Sequence, residues 1–243
     1  RIIDEQLFGE KYRQVDIVSD VLKNRVFYLI SGHGGADPGA IGERGEFDLY
    51  EDEYAYDVML RFGRAALAHS ATVYFISQDD DGIRDIKYLK ADHDETHRDG
   101  KNVGSGKMGR LKPRVDEINR LYKKHGNAYQ RVVEFHVDYF HKDRQIDVDF
   151  YYGSRRGKEL AERLRETIRL KYRTVRPGRG YKGRILPRSW YTLVHAIPVT
   201  AYIELGNINH KGDQVRIIEP DNRQTIAEWL LEAFIEDAKT QKK

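Results

Sequence analysis

Five short apolar runs, at 26–31, 71–77, 131–136, 148–152 and 199–204, alternate along this chain with stretches of helical periodicity at 51–69, 114–125, 154–172 and 222–239. In the first helical stretch Tyr54, Val58, Phe62 and Ala66 recur every four residues, and in the last Ile226, Leu230 and Phe234 do the same. Such spacing lays one apolar stripe along a helix, to be buried against another layer. Strands separated by helices of this length can pair in parallel, and a parallel sheet needs cover on both faces. The pattern therefore predicts a single α/β domain, a mostly parallel twisted sheet with helices on both faces.

No Gly/Pro/Ser-rich linker divides the 243 residues, so residues 26–243 are read as one domain preceded by a polar arm or short helix at 1–25. Residues 79–112 fit neither periodicity. They are hydrophilic and rich in Asp, Lys, His, Gly and Arg, which predicts a mobile surface excursion. The net charge of +3 is too small to argue for nucleic acid, and no apolar run approaches the roughly 18 residues that span a bilayer. The absence of cysteine excludes disulfides, thiolate metal sites and cysteine nucleophiles. A start at Arg1 without an apolar leader is read as a processed or trimmed terminus.

Three of the apolar runs lead into polar residues that packing does not require. The first reaches His33, bracketed by Gly32, Gly34 and Gly35; the third ends at His136; the fifth ends at Glu204. In open parallel sheets ligands bind beyond the carboxyl ends of the strands, so these residues are expected on one edge. Glu51 opens the first long helix and can return to the same edge. Two imidazoles and a carboxylate around an open position form the ligand set of a catalytic zinc site, and a further carboxylate can act as general base. A carboxylate at the end of an apolar strand, as at Glu204, is costly to bury without a partner.

These residues resemble the zinc-dependent N-acetylmuramoyl-L-alanine amidases of the amidase-3 family. Gly32-His33-Gly34-Gly35-Ala36-Asp37-Pro38-Gly39-Ala40 is similar to its opening histidine and Asp-Pro-Gly-Ala turn. Glu51 in Leu49-Tyr50-Glu51-Asp52-Glu53 matches the glutamate that starts its next helix, in preference to Glu46 or Glu53, and Phe135-His136-Val137-Asp138 matches its strand-closing histidine. Tyr202-Ile203-Glu204-Leu205-Gly206-Asn207 matches the strand end carrying its catalytic glutamate, with Asp213 downstream. Arg114 corresponds to its arginine before the third strand, and the likeness runs in order over roughly residues 26–235.

The resemblance implies zinc held by His33, Glu51 and His136, Glu204 as the catalytic residue, and Gly34, Gly35, Arg114 and Asn207 against substrate. It also implies hydrolysis of the amide between N-acetylmuramic acid and L-alanine in peptidoglycan by a monomeric enzyme of the cell envelope, periplasmic or secreted, whose signal peptide lies outside this sequence. A catalytically silent wall-binding module, or a zinc hydrolase of another amide or peptide, are the alternatives.

Three departures bear on substrate preference and regulation. The usual Ser-Ile-His reads Glu134-Phe135-His136, the usual Thr-Arg after the second strand reads Ser77-Gln78, and the 79–112 excursion is long. His93-Asp94-Glu95-Thr96-His97 lacks the glutamate directly after the first histidine that the zinc-protease helix motif needs. Residues 154–188 carry thirteen Lys/Arg against three Glu, read as a solvated helix face plus a basic loop or as a contact for an anionic polymer such as peptidoglycan.

Overall fold

A computed structural model describes residues 1–240. In chain order the elements are β1 (Ile2–Asp4), β2 (Gln14–Asp16), β3 (Arg25–Ser31), β4 (Ile41–Arg44), β5 (Phe47–Tyr50), α1 (Glu51–Ala68), β6 (Thr72–Phe75), β7 (Ser77–Gln78), β8 (Thr96–His97), α2 (Lys112–His125), β9 (Tyr129–Asp138), β10 (Asp149–Tyr152), α3 (Arg155–Val175), β11 (Ile185–Pro187), α4 (Tyr191–His195), β12 (Val199–Asn207), α5 (Lys211–Ile218) and α6 (Pro220–Thr240). Six strands form the central sheet in the order β11-β10-β12-β9-β3-β6. β12, β9, β3 and β6 run parallel, and β10 is antiparallel to β12, so the sheet is mixed and mostly parallel.

Alternation along β9 divides the two faces. Val133, Phe135 and Val137 join the larger core with α1, α3 and α6, where Phe27, Phe62 and Phe234 meet edge to face at 5.6–5.8 Å. Val132 packs with Val26, Tyr28, Ile30 and the α2 residues Ile118 and Leu121 in a smaller core on the other face. Glu134 and His136 continue that second face past the end of the apolar layer.

Two segments depart from the sequence reading. Residues 1–25 hold one short 3-10 helix, Gln6–Phe8, but are no free arm: β1 and β2 form an antiparallel ribbon, and Phe8, Val15 and Leu22 are fully buried. The apolar residues that drive this, with Ile3, Leu7 and Tyr12 packed partly buried beside them, are spaced too irregularly for a periodicity to register. The 79–112 excursion does run outside the sheet, but its β8 pairs with β7 at the excursion's root, and Leu89, Glu95, His97 and Val103 are buried. A few of its polar side chains turn inward. Arg84 donates to Glu53 Oε2 at 2.7 Å, and His93 Nδ1 lies 2.8 Å from the Gly35 carbonyl.

Candidate metal centre

His33, Glu51 and His136 arrive at one point from three elements. β3 and β9 are in register through Ser31 and Phe135, and the Gly32 amide donates to the Phe135 carbonyl, so the chain leaves β3 directly beside His136. A Cβ at Gly32 would overlap the His136 ring. The backbone at His33 is left-handed, with φ of 59°, which is uncommon for a non-glycine residue and is tolerated where the surroundings hold it. Here the buried Arg114 guanidinium holds it, donating to the carbonyls of Ser31 (3.1 Å) and His33 (2.7 Å). The turn through Gly39 then brings in α1. Gly39 has φ of 71°, and a Cβ there would stand 2.6 Å from Glu51 Oε2 and 2.7 Å from His33 Cδ2.

The Glu51 carboxylate sits between the two rings. Its Oε1 is 2.8 Å from His136 Nδ1 and accepts from the Val137 amide at 3.1 Å. Its Oε2 is 3.5 Å from His33 Nε2 and accepts from the Ala40 amide at 2.7 Å. One donor atom from each residue lies within 4.8 Å of the others. Two nitrogens and one carboxylate oxygen at this spacing, with no thiolate, suit zinc. Of the rival glutamates, Glu46 is exposed on the β4–β5 hairpin and Glu53 turns away to Arg84.

Charges around the centre are displaced by its burial. Burial, with His136, Arg110 and Arg114 nearby, outweighs Glu51 and pushes the His33 pKa down to about 4. Burial also opposes charge on His136, but its hydrogen bonds to Glu134 and Glu51 prevail and raise it to about 9. Glu51 is shifted down, because its histidine contacts overcome a burial that would raise it.

Glu204 stands on β12 opposite His136 in parallel register, so the two side chains share a face on neighbouring strands. It is buried, its Oε2 has no hydrogen-bond partner, and burial together with Glu51 and Asp138 lifts its pKa well above the ordinary carboxylate value. Tyr202, two residues earlier, stacks on the His136 ring with centroids 4.2 Å apart and planes 14° apart.

Of the other residues read from the sequence as substrate contacts, Gly34, Gly35 and Asn207 have their amide groups engaged within the protein. The Gly34 amide donates to the Asp37 carbonyl and the Gly35 amide to Glu95 Oε2. Asn207 is fully buried. Its Oδ1 accepts from the amides of Phe140 and Asn209, and its Nδ2 donates to the carbonyls of His141 and Arg144. Arg114 and Asn207 thus shape the loops that border the centre. Glu134, noted in the sequence only as a departure, lies 3.3 Å from His136 Nε2, on the opposite side of the ring from Glu51. Its position two residues before His136 on the same strand was the available signal.

The fold and the centre together define a single-domain α/β protein with a two-histidine, one-carboxylate site at the carboxyl edge of its sheet. The N-acetylmuramoyl-L-alanine amidase family, Amidase_3, matches residues 28–236, and the chain belongs to that family. Among solved structures, the CwlD amidase of Clostridioides difficile, in complex with the GerS lipoprotein, is 18% identical with a TM-score of 0.66, covering 89% of this chain and 100% of that one. Ami1 of Mycobacterium smegmatis is 17% identical with a TM-score of 0.64, covering 90% and 99%. AmiC2 of Nostoc punctiforme is 17% identical with a TM-score of 0.63, covering 89% and 98%. No curated protein matches the chain by sequence. Among the described residues no helix is long and apolar enough to cross a membrane.

Proposed function

We propose that this chain is a zinc-dependent amidase that hydrolyses the bond between N-acetylmuramic acid and the L-alanine of the peptidoglycan stem, acting in the cell envelope. The observation that carries the reading is the convergence of His33, Glu51 and His136 beside a buried, unpartnered Glu204 in a member of this family. His33 Nε2, His136 Nδ1 and the Glu51 carboxylate would hold the metal. When bound, zinc supplies Lewis-acid polarisation of the scissile carbonyl and makes the attacking water more acidic.

The protein's own part is to place and move protons. Glu204 takes the proton of the attacking water and returns it to the leaving amine, a transfer suited to a carboxyl whose pKa burial raises above its ordinary value. Tyr202 covers one face of His136, and Glu134 fixes the ring from the side away from Glu51. All of these groups come from one chain, which is the working unit of the proposal. A binding module would have no need of a buried general base, and a carboxylate left unpartnered there would be a pure cost in stability.

Mass spectrometry of muropeptides after incubating purified sacculi with the zinc-loaded chain tests the reading. Stem peptides with a free L-alanine amine are expected. Intact stems on N-acetylmuramic acid after full zinc loading would overturn it.

A further inference from the structure

A second group of carboxylates lies outside the histidine centre, where the 79–112 excursion packs on the first turn of α1. Asp52, Glu53 and Glu95 each offer an oxygen within 4.8 Å of the others, and so do Asp79, Asp92 and Glu95. Hard divalent cations bind oxygen at about 2.4 Å, so ligands on opposite sides of one ion stand about 4.8 Å apart. Glu53 is neutralised by Arg84, but among the described residues Asp52, Asp79, Asp92 and Glu95 have no lysine or arginine partner. Asp52 is only 2% exposed. Its Oδ1 accepts from the Glu53 amide, while its Oδ2 is buried with no donor at all. A buried carboxylate oxygen without a donor, facing other carboxylates, is neutralised by a proton shared with Glu95 or, when a metal is supplied, by a cation that displaces that proton.

We propose that Asp52, Glu53 and Glu95 hold a calcium ion, with water completing its oxygen shell. An all-oxygen set with several carboxylates suits Ca²⁺, in contrast to the imidazole set of the first centre. The consequence reaches the first centre through Glu95. Its Oε2 accepts from the Gly35 amide at 2.6 Å, so an ion on Glu95 ties the excursion to the turn that follows His33.

Calorimetric titration of Ca²⁺ into the full chain, zinc-loaded and stripped of calcium, tests this without reference to amidase activity. About one Ca²⁺ per chain is expected, with a higher melting midpoint. The double variant Asp52→Asn, Glu95→Gln keeps hydrogen-bond acceptors while removing two charges. It should keep its zinc, bind Ca²⁺ at least tenfold more weakly and lose the calcium-dependent rise in melting. No heat at millimolar Ca²⁺, equal Ca²⁺ affinity in the double variant, or a response to Mg²⁺ alone would each overturn the assignment.

Discussion

At the residue scale the centre depends on two opposed histidines. His33 is held neutral by burial, while His136, between Glu51 and Glu134, retains a proton up to about pH 9. In the metal-free protein this raised pKa stabilises the fold fully below the ordinary histidine value of 6.5, and the contribution is lost as the pH rises through about 9. Denaturant unfolding of metal-free protein should therefore show stability falling across that window, with a flatter profile in Glu134→Ala. The same variant removes the acceptor that orients His136, and losing such a partner typically weakens metal binding by about 10–100-fold. Chelator competition measures this directly. Unchanged zinc affinity together with an unchanged pH profile would mean that Glu134 is a bystander.

At the element scale, α1 carries Glu51 into the centre and is fixed from behind by a buried charge cluster. Asp57 accepts from Arg61 at 2.7 Å and from Arg223 of α6 at 2.5 Å, and Arg223 also donates to the carbonyls of Ile217, Ile218, Arg84 and Ile86. Asp57 and Arg223 are fully buried. Removing one partner of such a group leaves a buried charge uncompensated, at roughly 3–5 kcal/mol. Asp57→Ala is expected to lose about that much in chemical unfolding, whereas Glu46→Ala on the exposed hairpin should change stability by less than about 0.5 kcal/mol. A near-neutral Asp57→Ala would contradict the role given to this cluster.

At the scale of the whole molecule, the alternation of apolar runs and amphipathic stretches made the sheet and its main helices legible. The rule that ligands gather at strand carboxyl ends brings His33, His136 and Glu204 together from the sequence alone. What remained unread has physical reasons. The β1–β2 ribbon is anchored by isolated apolar residues rather than a repeat, and the excursion looked solvent-facing because most of its charged residues are, with Asp79, Glu95 and Arg84 turning inward and Arg84 pairing with Glu53. The basic stretch at 154–188 is partly internal for the same reason: Arg163, Arg179 and Arg184 pair with the buried Asp237, Asp147 and Asp149. Donors that looked free in the sequence, at Gly35 and Asn207, are engaged by partners remote in the chain.

The central claim is that one carboxylate moves the proton while three other residues hold the metal. Measuring zinc content and sacculus turnover on the same preparation of Glu204→Gln tests it most directly, beside wild type and His136→Ala. Glu204→Gln should retain near-equimolar zinc while its turnover falls about 10²–10⁴-fold, the usual cost of losing a general base, and His136→Ala should lose the zinc itself. Full turnover in Glu204→Gln, or loss of its zinc, would contradict the account.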